Sequence, residues 1–155
     1  MARAAALMLY THPMPDNLFN IPEASSRDEA LIAAYAGVRR TLDDLPYTRE
    51  FDTLFEQVGS LFDHSQAAVF RRLHTLRKAA RLPKSALRGV SPVAVTPEEE
   101  QLLVGLVIRE VGTLGQRDQL PFTPKFDAVA LDFATATRRD LTPHDLWRLI
   151  ARLAK

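Results

Sequence analysis

The segment LPYTREFD at residues 45–52 returns 75 positions later as LPFTPKFD at residues 120–127. Five of the eight positions are identical, and Tyr47 of the first segment is exchanged for the related Phe122 in the second. Each segment has a threonine suited to cap a helix, followed three residues later by a phenylalanine. The recurrence predicts a tandem duplication, in which this segment marks the entry to the second helix of each copy.

Composition narrows the class of protein. The chain has 155 residues, of which 46% are hydrophobic and 25% charged, as is typical of globular proteins. It has no cysteine, which excludes disulfides, thiolate metal sites and cysteine nucleophiles. The apolar run at residues 4–10 is short for a signal peptide and too short to span a membrane. We therefore expect a cytoplasmic protein that does not associate with membranes.

Helix signals in the first copy follow a run rich in proline. Because prolines crowd residues 1–23, we expect an irregular arm there. Ser25 or Ser26 then begins a first helix, Thr48 caps a second, and Ser65 caps a third. The apolar residues after each cap recur at spacings of three and four, as on one face of a helix.

The second copy repeats this order with three Thr-Pro pairs at 96–97, 123–124 and 142–143. Each pair places a capping hydroxyl before a proline suited to the first position of a helix. The sequence therefore predicts an all-α protein with four parts. These are an arm at 1–23, a three-helix unit at 24–83, a linker at 84–94 and a second three-helix unit at 95–155.

The start of the second copy, VTPEEEQLL at residues 95–103, resembles the opening of a Myb/SANT repeat. Phe126 and Trp147 are similar to the aromatic residues of that family's second and third helices. The first copy resembles the family less closely, through residues 24–32, Phe51 and Phe70. The resemblance implies two tandem helix-turn-helix-like units, whose third helices enter the major groove of DNA. Some members of the family bind protein tails instead.

Charge is segregated along the chain although the net charge is only +1. Residues 64–89 contain seven arginines and lysines and no acidic residue. In a helix, Arg71, His74, Lys78 and Arg81 lie roughly opposite the apolar face. Arg148 and Lys155 of the second copy are the counterparts of Arg71 and Lys78. The candidate nucleic-acid-binding residues are Arg71, Arg72, His74, Lys78, Arg81, Lys84, Arg88, His144, Arg148, Arg152 and Lys155.

Two kinds of partner fit this pattern of charge. A third interpretation is that the basic face is simply solvated and binds no partner. Guanidinium and ammonium groups could contact phosphates and guanine edges of double-stranded DNA, as in a transcriptional regulator or a DNA-architectural protein. The same face could instead bind an acidic protein segment. If both copies engaged DNA and neutralised about six phosphates, affinity would fall roughly a thousandfold between 50 and 200 mM salt.

Enzyme chemistry has no visible basis in the sequence. The four histidines are scattered, and the matched Asp52 and Asp127 sit where the first turn of a helix favours an acid. No phosphate-binding glycine loop or nucleophile motif is present. Phe70 and Trp147 stand at helical spacing from other apolar residues, so we expect them in the core and not stacked on bases. We therefore expect a binding protein without a cofactor or a metal, and the oligomeric state stays open.

Overall fold

The computed structural model describes residues 15–84 and 93–155, with side chains described from residue 25 onward. These ranges contain six α-helices and no strand, which confirms the all-α prediction for them. The α-helices are α1 (Pro15–Ala36), α2 (Arg49–Val58), α3 (Gln66–Lys78), α4 (Pro97–Val111), α5 (Pro124–Thr137) and α6 (Pro143–Leu153). Three 3-10 helices are η1 (Leu42–Asp44), η2 (Gly59–Phe62) and η3 (Leu114–Gln119).

The start of α1 corrects one prediction. The helix begins at Pro15 and not at Ser25 or Ser26, so residues 15–23 of the expected irregular arm are helical. Proline is well suited to the first position of a helix because its missing N–H has no partner there in any case. The rest of the expected arm lies outside the described residues.

Four of the predicted capping hydroxyls accept hydrogen bonds from backbone N–H groups three residues later. These are Thr48, Ser65, Thr96 and Thr142, with distances of 3.1–3.2 Å. Thr96 forms a full capping box, because the side chain of Glu99 also accepts from the backbone N–H of Thr96. Thr123 differs, since its hydroxyl makes no cap hydrogen bond. It does donate to the carbonyl of Leu120 at 2.6 Å, as Thr48 does to that of Leu45.

The buried side chains form one core that draws on both halves of the chain. Phe51 and Phe70 of the first half and Phe126 and Trp147 of the second are at most 1% exposed. The connections join the halves as well, because α3 packs against η3 and α6 packs against η1. Each third helix therefore rests on the 3-10 helix that precedes the LPYT or LPFT segment of the other half.

Within the described ranges, none of the helices is both long and apolar enough to cross a membrane.

Candidate nucleic-acid interface

Helix α3 carries four of the predicted binding residues, and its orientation follows from its apolar face. Val69 and Leu73 are fully buried in the core. Arg71 and Lys78 lie on the other side of the helix and are exposed. The predicted separation of an apolar face from a basic face is therefore present in this helix.

Two further arginines of this region share one carboxylate. Arg72 binds Asp28 of α1 through two parallel hydrogen bonds of 2.8 and 2.6 Å, and Arg81 reaches the same carboxylate at 3.4 Å. The hydrogen bond from Arg72 lowers the pKa of Asp28 against the opposing effect of burial. Arg72 and Arg81 are thus partly neutralised, although their side chains are 42% and 46% exposed.

His74 does not lie on the exposed basic face. It is 2% exposed, because it falls on the side of α3 that meets the second half of the chain. Its Nε2 lies 2.9 Å from a guanidinium nitrogen of Arg77, and its Nδ1 lies 3.9 Å from a carboxylate oxygen of Asp118. Since Arg77 must donate, Nε2 accepts and the neutral ring carries its proton on Nδ1. This burial corrects the prediction that His74 lies on the basic face as a nucleic-acid-binding residue.

The burial of His74 predicts an acid-sensitive fold. Burial, reinforced by Arg77, Arg117 and Lys78 and opposed by Asp118, lowers the pKa of His74 from 6.5 to about 4. The unfolded chain therefore binds more protons between these values, and stability falls as pH decreases from 6.5 towards 4. We expect the free energy of unfolding to drop by about 3 kcal/mol over this window, measured by urea unfolding at several pH values.

His74→Gln supplies the test, because an amide can accept from Arg77 but does not titrate. This variant should lose most of the pH dependence between 6.5 and 4, whereas His64→Gln, at an exposed position, should keep it. The carboxylates of Asp28 and Asp43 have lowered pKa values, so their contribution is lost only below about pH 3.8. An unchanged pH dependence in His74→Gln would contradict this assignment.

Helix α6 directs two of its predicted binding residues, His144 and Arg148, at the first half of the chain. The Nε of Arg148 and the Nε2 of His144 lie 3.1 and 3.2 Å from the same carboxylate oxygen of Asp44 in η1. The Nδ1 of His144 donates to the carbonyl of Pro46 at 3.0 Å. Arg40 contacts the other oxygen of Asp44 at 2.7 Å. Asp44 is 8% exposed, so this cluster is largely closed to solvent.

Arg152 of α6 and Lys155, two residues after its end, also have acidic partners. Lys155 and Arg77 hold the two carboxylate oxygens of Asp43 at 3.2 and 3.1 Å. Burial alone would raise the pKa of Asp43, but these two cations outweigh it and lower the pKa. Arg152 contacts Glu100 of α4 at 2.8 Å, with both side chains about 40% exposed. Each predicted binding residue of α6 is therefore paired within the chain.

The two third helices touch each other. The rings of Phe70 and Trp147, which are matched positions of the duplication, meet edge to face with centroids 5.5 Å apart. Two readers of successive major grooves would have to be about 34 Å apart along the duplex. The contact between α3 and α6 is therefore incompatible with reading two successive grooves at that spacing.

The duplicated segments themselves meet at this boundary. Tyr47 lies against its counterpart Phe122 with ring centroids 4.5 Å apart, and its hydroxyl accepts from the backbone N–H of Phe122 at 2.7 Å. The reciprocal contacts, Tyr47 with Phe126 and Phe51 with Phe122, are also present at 4.8 and 4.5 Å. Contacts between equivalent positions are those of a two-fold interface, here formed within one chain.

The backbone of the segments is shaped for these contacts. Tyr47 and Phe122 both have φ of +64°, a left-handed conformation that is uncommon for residues with side chains. In both segments the threonine hydroxyl donates to the leucine carbonyl three residues earlier at 2.6 Å, which closes the turn. The strained turn carries each aromatic ring to the boundary between the halves, so the segment acts in assembly of the fold.

Three of the predicted binding residues remain available to contact nucleic acid. Arg71, Lys78 and Lys84 are exposed, and among the described side chains no carboxylate lies within 4 Å of any of them. Arg88 lies outside the described residues. Sequence reasoning missed Arg27 of α1, whose guanidinium lies 5.9 Å from the centre of the Phe62 ring and beside α3. A single arginine in a helix of mixed charge gave no signal for it.

Comparison with protein-family models, with curated proteins and with solved structures finds no match to the chain.

Proposed function

We propose that the protein binds double-stranded DNA through the exposed surface of α3, while α6 holds the two halves of the chain together. The finer fold assignment, two tandem Myb/SANT-like units of helix-turn-helix type, is part of the same proposal. The order of elements supports it, since each half has three α-helices with a 3-10 helix between the first and the second.

The observation that carries the proposal is the unequal use of charge by the two third helices. The basic residues of α6 are paired with Asp43, Asp44 and Glu100. By contrast, α3 and the turn after it keep Arg71, Lys78 and Lys84 exposed to solvent. Of the two third helices, α3 with the residues after it therefore carries the exposed cations that have no carboxylate partner among the described side chains.

Phosphate groups suit this surface for two reasons. Arginine and lysine side chains donate charge-assisted hydrogen bonds to phosphate oxygens, and release of counterions from the duplex adds to the binding free energy. The other side of α3 is fixed in a rigid core by Val69 and Leu73, so the cations are held on one firm ridge. A ridge of helical width fits the major groove of B-form DNA.

A salt titration tests the proposal. With Arg71, Lys78 and Lys84 as contacts, about three phosphates are neutralised and log K should fall with log salt with a slope of about −2.7. Affinity for a labelled random-sequence duplex, measured by fluorescence anisotropy, should therefore drop about fortyfold between 50 and 200 mM salt. A slope near zero, or no binding at 50 mM, would overturn the proposal.

An acidic protein segment is the second candidate partner, and one observation favours it. The surface already holds a carboxylate, since Arg72 binds Asp28 with the paired geometry that arginine offers to carboxylates. A polyglutamate peptide with the same charge as the duplex distinguishes the two. Tighter binding of the duplex at equal ionic strength supports DNA, and tighter binding of the peptide supports the protein partner.

A further inference from the structure

A groove between α1 and α3 lies beside the exposed basic surface. It encloses about 580 Å³, and its walls include Arg27 and Asp28 from α1, Phe62 from η2, and Arg71 and Arg72 from α3. Three guanidinium groups thus face one carboxylate in this space. The groove carries excess positive charge.

The single carboxylate is already saturated. Both oxygens of Asp28 accept from Arg72, and Asp28 also contacts Arg81 at 3.4 Å. Asp28 is 5% exposed, so it forms part of the wall and does not extend to neutralise other groups. The charges of Arg27 and Arg71 consequently have no counterpart among the described side chains.

Among the described side chains, the terminal guanidinium nitrogens of these two arginines have no hydrogen-bond partner. The guanidinium of Arg27 lies over the Phe62 ring at 5.9 Å, a cation–π contact that restrains it while leaving its N–H groups open. Arg71 donates its Nε–H to the carbonyl of Ala67 at 3.3 Å, which fixes the side chain along α3 and leaves its terminal nitrogens unused. An oxyanion between them would receive donors from both sides.

We propose that this groove seats one phosphodiester group of the duplex between Arg27 and Arg71. The proposal rests on DNA binding by α3, and it adds a contact from α1 that fixes the angle at which α3 meets the DNA. Phosphate contacts of this kind set the orientation and register of a protein on the duplex without reading bases.

The first test removes one charge from the full chain. Arg27→Gln should lower affinity for the random-sequence duplex about tenfold and make the salt slope shallower by about 0.9. Arg39→Gln is the matched control, since Arg39 is exposed and has no carboxylate within 4 Å among the described side chains. Arg39→Gln should leave both quantities unchanged. Equal behaviour of the two variants would overturn the groove and leave DNA binding by α3 intact.

The second test separates the groove from the proposed function. Inorganic phosphate and pyrophosphate are titrated into the full chain, and the Nε–Hε resonances of Arg27 and Arg71 are followed by NMR. Shifts in both resonances, absent with chloride at equal ionic strength, support the groove even if the duplex does not bind. If these resonances do not shift, the proposed phosphate site in the groove is wrong. If the duplex also fails to bind, both proposals are wrong.

Discussion

Trp147→Ala should destabilise the whole protein by about 3–5 kcal/mol in the free energy of unfolding. Trp147 is fully buried and meets Phe70 of the other half edge to face, so its truncation removes core volume and an aromatic contact together. Because domains of this size are stable by only about 5–15 kcal/mol, the loss is a large fraction of the total. Urea unfolding followed by circular dichroism at 222 nm measures it.

The number of steps in the unfolding transition is as informative as its midpoint. Phe70 and Trp147 join the two halves, so both halves should unfold in one transition in the wild type and in the variant. Leu131→Ala, at a position 67% exposed, is the control and should change stability by less than about 0.5 kcal/mol. Trp147→Phe, a milder truncation, keeps the test usable if the alanine variant does not fold. Separate transitions for the two halves would contradict a shared core.

Reversal of charge on α3 should abolish DNA binding. We expect the triple variant Arg71→Glu, Lys78→Glu, Lys84→Glu to lose more than about a hundredfold in affinity for a random duplex at 50 mM salt. The three side chains are exposed, so the variant should keep its fold, which circular dichroism checks. Fluorescence anisotropy measures the affinity.

A control with identical net charge isolates the surface from the overall field. The control is the triple variant Arg49→Glu, Lys125→Glu, Arg138→Glu, which changes three exposed cations away from α3. Each charge reversal lowers the net charge by two, so both triple variants go from +1 to −5. General electrostatic repulsion would weaken both variants equally. The proposed surface requires a far greater loss in the α3 variant, and equal losses would refute it.

Local signals in the sequence predicted most of the helices. Thr48, Ser65, Thr96 and Thr142 begin helices because a hydroxyl that caps a helix acts on N–H groups only three residues away. The start of α1 differs from the prediction because proline is typical of irregular chain but also fits the first turn of a helix, which is where Pro15 stands. Local sequence signals therefore predict where helices begin, except where one residue type suits two structures.

The contacts of the basic residues could not be predicted from local signals in the same way. Periodicity places Arg148 on the polar face of α6, but it does not say that Asp44 lies 3.1 Å from that arginine. Their positions are about a hundred residues apart, and the pairing depends on how the two halves pack. The duplicated segment held part of this information, since Tyr47 and Phe122 are matched aromatic residues that meet at the boundary. Nothing local distinguishes such a contact from an ordinary core position.

Backbone NMR of the full chain with a random-sequence duplex tests the central claim most directly. We expect amide shifts to change along the exposed side of α3, including Arg71 and Lys78, and around Arg27 of α1. The amides of α6 near Arg148 should stay unchanged, because that helix is docked on η1. Equal shifts along α3 and α6, or shifts confined to α6, would contradict the account.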